Sequence, residues 1–185
     1  PTPYWDQDGV HEIYREWRKI LDGYTPERIA VAEAWVDGPD RLSRYLRPDE
    51  LHQAFNFQFL TTPWSAAAYR EVIELSLAAV ADVDAPATWV LSNHDVVRHA
   101  TRFGRPDADT GGTAGGAARG EQPGDPVLGL ARARAATLMM LALPGSAYLY
   151  QGEELGLPEV LDLPDELRQD PRFHRTGGQA LGRDG

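Results

Sequence analysis

Two segments, Ile29-Ala-Val-Ala-Glu-Ala-Trp35 and Thr88-Trp-Val-Leu-Ser-Asn-His-Asp95, decide the expected fold. Each is a hydrophobic run of strand type that ends near a carboxylate, Glu33 in the first and Asp95 in the second. Enzymes built on a (β/α) barrel hold their catalytic groups at the carboxyl ends of the strands. The spacing from Glu33 to Asp95 leaves room for one further strand and two connections, at about 30 residues per βα unit. The chain is therefore expected to form part of such a barrel, and its two acids suggest sugar chemistry.

The sequence around these segments supplies helices and strands in alternation. Apolar residues from Val10 to Leu21 recur at helical spacing, with Asp8 as the expected N-cap and Gly23 as the stop. Further helices are expected over 39–46, 66–83 and 126–143, and strands over 29–36, 52–59, 88–92 and 146–150. The expected fold class is therefore α/β, with about four parallel strands and their helices.

Two stretches show no such periodicity. Residues 104–124 are rich in glycine and have little to bury, so they are predicted to form a flexible insertion. From Leu155 onward Pro, Gly, Asp and Arg dominate, and a long polar loop with no strong element is expected. Residues 1–185 as a whole are interpreted as one partial barrel domain.

Length and charge limit the candidate functions. The 185 residues are fewer than the roughly 250 of a typical complete barrel. With 28 acidic against 18 basic residues and no Lys/Arg cluster, the chain is not expected to bind nucleic acid or an anionic membrane. Its start shows no signal-peptide pattern, and its longest apolar run, Ala135 to Leu143, is too short to span a bilayer. A soluble, cytoplasmic protein is expected.

Metal and thiol chemistry are not expected either. The chain contains no cysteine, which excludes disulfides, thiolate catalysis and cysteine-based zinc sites. Its histidines do not follow a metal-ligand spacing. We therefore expect no metal and no cofactor.

Four motifs, in order, resemble the alpha-amylase superfamily of retaining glycoside hydrolases (glycoside hydrolase family 13), and most closely its alpha-glucosidase and oligo-1,6-glucosidase branch. Val31-Ala-Glu-Ala-Trp35 resembles the family's strand-five motif and Ser92-Asn-His-Asp95 its strand-seven motif. The segment from Tyr148 to Gly156 resembles strand eight, and that from Asp6 to Arg15 the helix after strand four. The resemblance implies strands five to eight, the C-terminal half of a TIM (β/α)8 barrel truncated at both ends.

The resemblance also implies roles for individual residues. Glu33 corresponds to the general acid/base, a role that requires a partly buried, apolar setting such as the strand end beside Trp35 is expected to provide. Asp95 corresponds to the carboxylate that stabilises positive charge in the transition state, and His94 to a residue that hydrogen-bonds the sugar. Arg98 is a candidate for holding Asp95 ionised or for contacting the substrate. The implied substrate is an α-glucoside oligosaccharide.

One family motif has no counterpart. The nucleophile is expected as an aspartate in a Gly-x-Arg-x-Asp-x-x-x-His pattern, which does not occur in the 185 residues. The chain is therefore expected to be an inactive part of an active enzyme, since acid catalysis alone supplies only about 10²–10⁴-fold. A half barrel also leaves sheet edges unpaired, so self-association is expected.

Three alternatives to a retaining glycoside hydrolase remain at this level. The first is a non-catalytic relative that binds carbohydrate or a partner, although the joint presence of Glu33, His94 and Asp95 speaks against it. The second is a trehalose synthase-like enzyme that transfers glucosyl groups. The third is a generic (β/α) barrel with another chemistry, such as a metal-dependent hydrolase.

Overall fold

The computed structural model describes residues 4–106, 108, 117–120 and 124–182. Helices and strands alternate along much of this part of the chain, which confirms the α/β class. The helices are α1 (Val10–Asp22), α2 (Pro39–Arg44), α3 (Phe57–Thr61), α4 (Ala66–Ala81), α5 (His99–Arg102), α6 (Pro126–Ala142) and α7 (Pro171–Arg175). The strands are β1 (Val31–Ala32), β2 (Gln53–Ala54), β3 (Thr88–Val90), β4 (Ala117–Ala118), β5 (Ser146–Tyr148) and β6 (Ala180–Gly182).

Local capping explains where the long helices begin and end. Asp125 caps α6 by accepting hydrogen bonds from the backbone N–H groups of Val127 and Leu128 at 2.9 and 3.0 Å, which confirms the expected N-cap. Helix α1 ends at Gly23, as expected, but its N-cap is Gly9 and not Asp8. The Asp8 carboxylate instead accepts from Arg41 Nη1 at 3.1 Å, which draws it away from the helix end.

Strands β1, β2, β3 and β5 lie side by side in the order in which they occur along the chain. β1 and β2 pair in parallel, with Val31 opposite Gln53 and Ala32 opposite Ala54. The Asn56 N–H donates to the Thr88 carbonyl at 3.0 Å, which links the end of β2 to β3. The Ser146 N–H donates to the Ala87 carbonyl at 2.8 Å, at the start of the β3–β5 pair. This is the order that successive βα units produce.

The strands are shorter than the sequence pattern suggests. The predicted strand over 52–59 is wrong beyond Ala54, because Phe57–Thr61 is helical. The Asn56 side chain donates to Ser76 Oγ at 2.7 Å, inside the protein, and the chain leaves the sheet there. Phe57 and Phe59 are both buried, so their alternate spacing reflects burial in a helix rather than the pleat of a strand.

The expected long loop after Leu155 is also wrong. Helix α7 begins at Pro171 after the N-cap Asp170, and β6 pairs antiparallel with β4. Buried Arg168 holds this region together by donating to the Leu181 and Leu161 carbonyls at 3.1 and 3.3 Å. β4 lies in the insertion predicted over 104–124, and residues 107, 109–116 and 121–123 of that insertion lie outside the described residues.

The chain divides into two compact units. Unit 1 comprises Pro1–Gln58, Arg70–Trp89 and Pro144–Ser146, and it contains a core cluster of Ala32, Tyr45, Leu46, Leu51 and Ala54. Unit 2 comprises Phe59–Tyr69, Val90–Leu143 and Ala147–Gly185, and it contains the buried side chains of Leu60, Leu91, Val97, Phe103 and Met140. Within the described residues, no helix combines the length and apolar character needed to cross a membrane.

Candidate active site

Glu33 lies in unit 1, one residue beyond the last paired residue of β1. Val31 is half-buried and Ala32 is buried, but Glu33 itself is exposed. The apolar burial expected around this carboxylate is therefore not found, because the strand ends before Glu33. Among the described residues the carboxylate has no hydrogen-bond or ion-pair partner, so its oxygens are open to a ligand from solvent.

Aromatic residues pack around Trp35, two residues beyond Glu33. The Trp35 ring stacks on Phe57 with centroids 4.0 Å apart and an interplanar angle of 16°. The Trp5 indole N–H donates to the Trp35 carbonyl at 2.5 Å. Trp5 is not among the residues that the sequence predicted for the site, and its only local signal is the aromatic pair Tyr4-Trp5 just before α1.

Asp95 and His94 lie together in unit 2, in the loop that follows β3. The Asp95 N–H donates to Asn93 Oδ1 at 2.9 Å, which fixes the turn. His94 Nε2 lies 3.4 Å from Asp95 Oδ1, and the two side chains are 56% and 16% exposed. A largely shielded carboxylate beside an exposed imidazole is an arrangement that can bind hydroxyl groups.

The Arg98 guanidinium is placed against the turn after β5. Its Nη1 donates to the Gln151 carbonyl at 2.8 Å, and its charged end lies 4.7 Å from the centre of the Tyr150 ring. The backbone N–H of Arg98 donates to Glu159 Oε2 at 2.8 Å. These contacts give Arg98 a structural role in joining the loop after β3 to the turn after β5.

A buried polar network lies behind the Asn93–Asp95 loop. His99 Nδ1 lies 2.8 Å from Ser92 Oγ and 3.1 Å from Glu153 Oε1, and His99 Nε2 lies 3.4 Å from Thr137 Oγ1. Glu153 Oε2 accepts from the Tyr150 N–H at 2.7 Å. The network fixes the end of β3 relative to α6 and the turn after β5. The sequence indicated Glu153 only as part of the segment from Tyr148 to Gly156 that resembles strand eight.

Burial sets the protonation of this network. It raises the pKa of Glu153 to about 7, against an opposing hydrogen bond from the Tyr150 N–H. It lowers the pKa of His99 to about 3, assisted by the positive charges of Arg102 and Arg98. Below pH 7 the contact between His99 and Glu153 is therefore a contact between two neutral groups and not an ion pair.

A cavity of about 470 Å³ adjoins the network. Helix α6 and the turn around Glu153 line it, with Leu130, Thr137, Leu138 and Leu155 among the contributing residues. No group of three or more potential metal ligands occurs in the part of the chain that the structure describes. All of the residues that line the cavity belong to unit 2.

An α/β fold with carboxylates just after its strands is typical of (β/α) barrel enzymes that act on glycosides. The sequence model of the alpha-amylase catalytic domain matches residues 2–185, and the chain therefore belongs to the alpha-amylase family. Its similarity to alpha-glucosidases and maltases places it in the alpha-glucosidase branch of glycoside hydrolase family 13.

Two relatives and one solved structure illustrate this similarity. The chain is 32% identical over 179 residues to a probable alpha-glucosidase of Rhizobium meliloti, covering 94% of this chain and 28% of the relative. It is 27% identical over 161 residues to Maltase 1 of Drosophila virilis, covering 82% and 22%. The crystal structure of an alpha-glucosyl transfer enzyme, XgtA, matches with a TM-score of 0.73 and 30% identity, over 97% of this chain and 29% of that one.

These matches also define the fold and its extent. The catalytic-domain family and the similar crystal structure identify the described elements as part of a TIM barrel. The chain spans about a quarter of the length of the curated relatives it matches.

Proposed function

We propose that this chain carries the general acid/base and the transition-state-stabilising carboxylate of a retaining glycoside hydrolase that releases terminal α-linked glucose from oligosaccharides. The main support is Glu33, which stands exposed directly after a strand of the parallel β1–β2 pair, within a segment similar to the family's strand-five motif. The alpha-glucosidases and maltases among its relatives support the substrate class.

Glu33 would supply the proton chemistry. In a retaining glycosidase one carboxylic acid protonates the leaving oxygen, and after the covalent step it acts as base toward water. The exposed Glu33 carboxylate, free of partners among the described residues, can approach a glycosidic oxygen. A Gln at this position would keep the shape of the side chain and remove its proton.

Asp95 would stabilise the positive charge that builds up on the sugar ring in the oxocarbenium-like transition state. It is suited to this role because most of its surface is shielded, and Coulomb attraction is stronger where water is excluded. His94, 3.4 Å away, would hydrogen-bond the same sugar. We assign Arg98 to the support of this loop through Gln151 and Glu159, with substrate contact as its alternative role.

The nucleophile has to come from elsewhere. Retaining chemistry places a second carboxylate about 5–5.5 Å from the acid/base, on the other side of the anomeric carbon. The family's nucleophile pattern is absent from the 185 residues. We therefore propose that the chain alone does not turn over and that strands one to four supply the nucleophile.

A second candidate function is glucosyl transfer. The similar solved structure, at 30% identity, is that of an alpha-glucosyl transfer enzyme. The two functions share the acid/base step and differ in whether water or a second hydroxyl compound receives the glucosyl group.

Hydrolysis of an aryl α-glucoside would test the proposal. The assay compares the chain alone, the chain extended upstream to include strands one to four, and Glu33→Gln and Asp37→Asn forms of the extended protein. Asp37 is a matched control, since it is an exposed carboxylate four residues beyond Glu33. We expect turnover only from the extended protein, a loss of at least about 10²-fold in Glu33→Gln and little change in Asp37→Asn.

Product analysis separates the alternatives. Free glucose as the main product supports a hydrolase, whereas a glucoside of an added acceptor alcohol supports a transferase. A folded but inert extended protein would overturn both and favour a non-catalytic carbohydrate-binding relative.

A further inference from the structure

The segment before α1 is held in a rarely used conformation. Asp6 has a φ of 49°, in the left-handed region that residues other than glycine seldom adopt. Its carboxylate accepts from Arg41 Nε and Nη2 at 2.7 and 2.8 Å and from the Tyr45 hydroxyl at 2.8 Å. Arg41 Nη2 also donates to the Asp6 carbonyl at 3.0 Å. We call this set of contacts the Asp6 clamp.

The Asp6 clamp fixes the position of the preceding residue, Trp5. The Trp5 indole N–H donates to the Trp35 carbonyl at 2.5 Å, and the Trp5 carbonyl accepts from Gln7 Nε2 at 2.8 Å. Trp5 is nevertheless 53% exposed, whereas Phe57, beneath the Trp35 ring, is 5% exposed. Trp5 is thus an immobilised aromatic ring with much of its surface open to solvent.

This ring lies close to the candidate acid/base. Trp35 is two residues beyond Glu33, and an extended chain spans at most about 3.6 Å per residue, which puts the Trp5 indole nitrogen within about 12 Å of the Glu33 Cα. That distance is in the range of the sugar units adjoining a bond cleaved at Glu33. All of these residues belong to unit 1.

We propose that Trp5 is a sugar-binding residue that stacks on a pyranose ring of the oligosaccharide, next to the glycosidic bond that Glu33 protonates. The proposal rests on the proposed function, because it uses Glu33 to locate the substrate. One face of a pyranose presents axial C–H groups, which are apolar and pack against a flat aromatic ring. A ring fixed in advance loses little conformational entropy on binding, so the Asp6 clamp adds to affinity.

The chain offers a matched control for this residue. Trp17 is 52% exposed, but it lies in α1 and contacts Tyr14 edge-on with ring centroids 5.5 Å apart. The two tryptophans therefore have the same chemistry and exposure. They differ in their attachment to the strand end that carries Glu33.

The test is a titration of the 185-residue chain with maltotriose, followed through the indole N–H signals of ¹⁵N-labelled tryptophan. The five tryptophans are assigned by single Trp→Phe variants. We expect saturable shifts of the Trp5 and Trp35 signals and an unchanged Trp17 signal. Trp5→Ala should weaken binding, measured at Trp35, by at least threefold, and Trp17→Ala should not. A Trp5 signal that stays fixed, or that moves in step with Trp17, overturns the proposal.

Two further variants complete the test. Asp6→Gly keeps the backbone conformation accessible but removes the Asp6 clamp, and it should weaken maltotriose binding while the circular dichroism spectrum is retained. Glu33→Gln should leave the Trp5 shifts in place. Shifts at Trp5 without Glu33-dependent hydrolysis by the extended protein would retain the binding role and refute the hydrolase. Glu33-dependent hydrolysis by the extended protein with an unshifted Trp5 signal would refute the role of Trp5 alone.

Discussion

The His99–Glu153 contact leads to a quantitative prediction about stability and pH. In the folded protein, Glu153 holds its proton up to about pH 7 and His99 is neutral above about pH 3. In the unfolded chain the ordinary values of 4.5 and 6.5 apply. Between pH 5.0 and 6.5 the pair therefore holds about one proton in either state, on Glu153 when folded and on His99 when unfolded. Their joint contribution to the pH dependence of stability is close to zero.

Glu153→Gln should expose the titration of His99. Gln keeps the shape of the Glu153 side chain, and its amide oxygen can still accept from the Tyr150 N–H. The folded variant then binds no proton at this pair while the unfolded chain still binds one on His99, so stability rises with pH. Integrated from pH 5.0 to 6.5, the variant should gain on the order of 1–2 kcal/mol while the wild type changes little through this pair.

Urea unfolding at both pH values, monitored by tryptophan fluorescence, measures the difference. Every other titrating group is common to the two proteins, so the difference between their pH dependences isolates the pair. Glu166→Gln is the control, because Glu166 is exposed and is not among the charges that shift the pKa of Glu153 or His99, so it should leave the difference unchanged. If Glu153→Gln shows the same pH dependence as the wild type, the protonation scheme is refuted.

Three further substitutions test the packing of the fold. Asp125→Ala removes the acceptor for two N–H groups at the start of α6 and should lower the free energy of unfolding, measured by urea titration, by about 1 kcal/mol. Asp162→Ala is the control, because Asp162 is exposed, and it should leave this free energy nearly unchanged. At Gly145, φ is 116° and an added Cβ would lie 2.3 Å from the Ala87 carbonyl oxygen, so Gly145→Ala should lower the free energy of unfolding by about 2 kcal/mol or more. Gly9→Ala should lower it little, because Gly9 has open space around it and an ordinary φ of −64°. Equal unfolding midpoints for the two variants would contradict this. Arg168→Met leaves the Leu161 and Leu181 carbonyls without their donor. It should speed amide hydrogen exchange over 180–182, whereas the amides of α6 should stay protected. Unchanged exchange over 180–182 would show that Arg168 does not stabilise β6.

The sequence predicted the long helices well because their signals are local. Asp125 and Gly23 act through hydrogen bonds within a few residues, and both lie at the helix ends where the sequence predicted them. The prediction of Asp8 as an N-cap was wrong because the contact that decides its position is not local. Its partner is Arg41, far along the chain, and no local pattern indicates that a distant guanidinium competes for the carboxylate.

The same distinction explains the errors in the strands and in the C-terminal region. Phe55, Phe57 and Phe59 alternate in the sequence as a strand would, but hydrogen bonds from Asn56 to Thr88 and Ser76 end the strand early. The structure after Leu155 is held together by buried Arg168, whereas arginine as a residue type is expected at the surface. The positions of Glu33 and Asp95 just after strands were predicted from local pattern, whereas the attachment of Trp5 to Trp35 depends on a contact between distant residues.

The division into two units has a consequence for how the protein is made. Unit 1 draws on three separate stretches of chain, the last of them Pro144–Ser146, and unit 2 occupies the intervals and the end. Cleavage of the chain at one site therefore cannot separate either unit intact from the other. At about 5–20 residues per second, the ribosome needs roughly 7 to 30 s to translate residues 1–146, and only then are all three stretches of unit 1 present. Until then, the first stretch of unit 1, which carries Glu33, lacks its contacts with the last stretch while most of unit 2 is being synthesised.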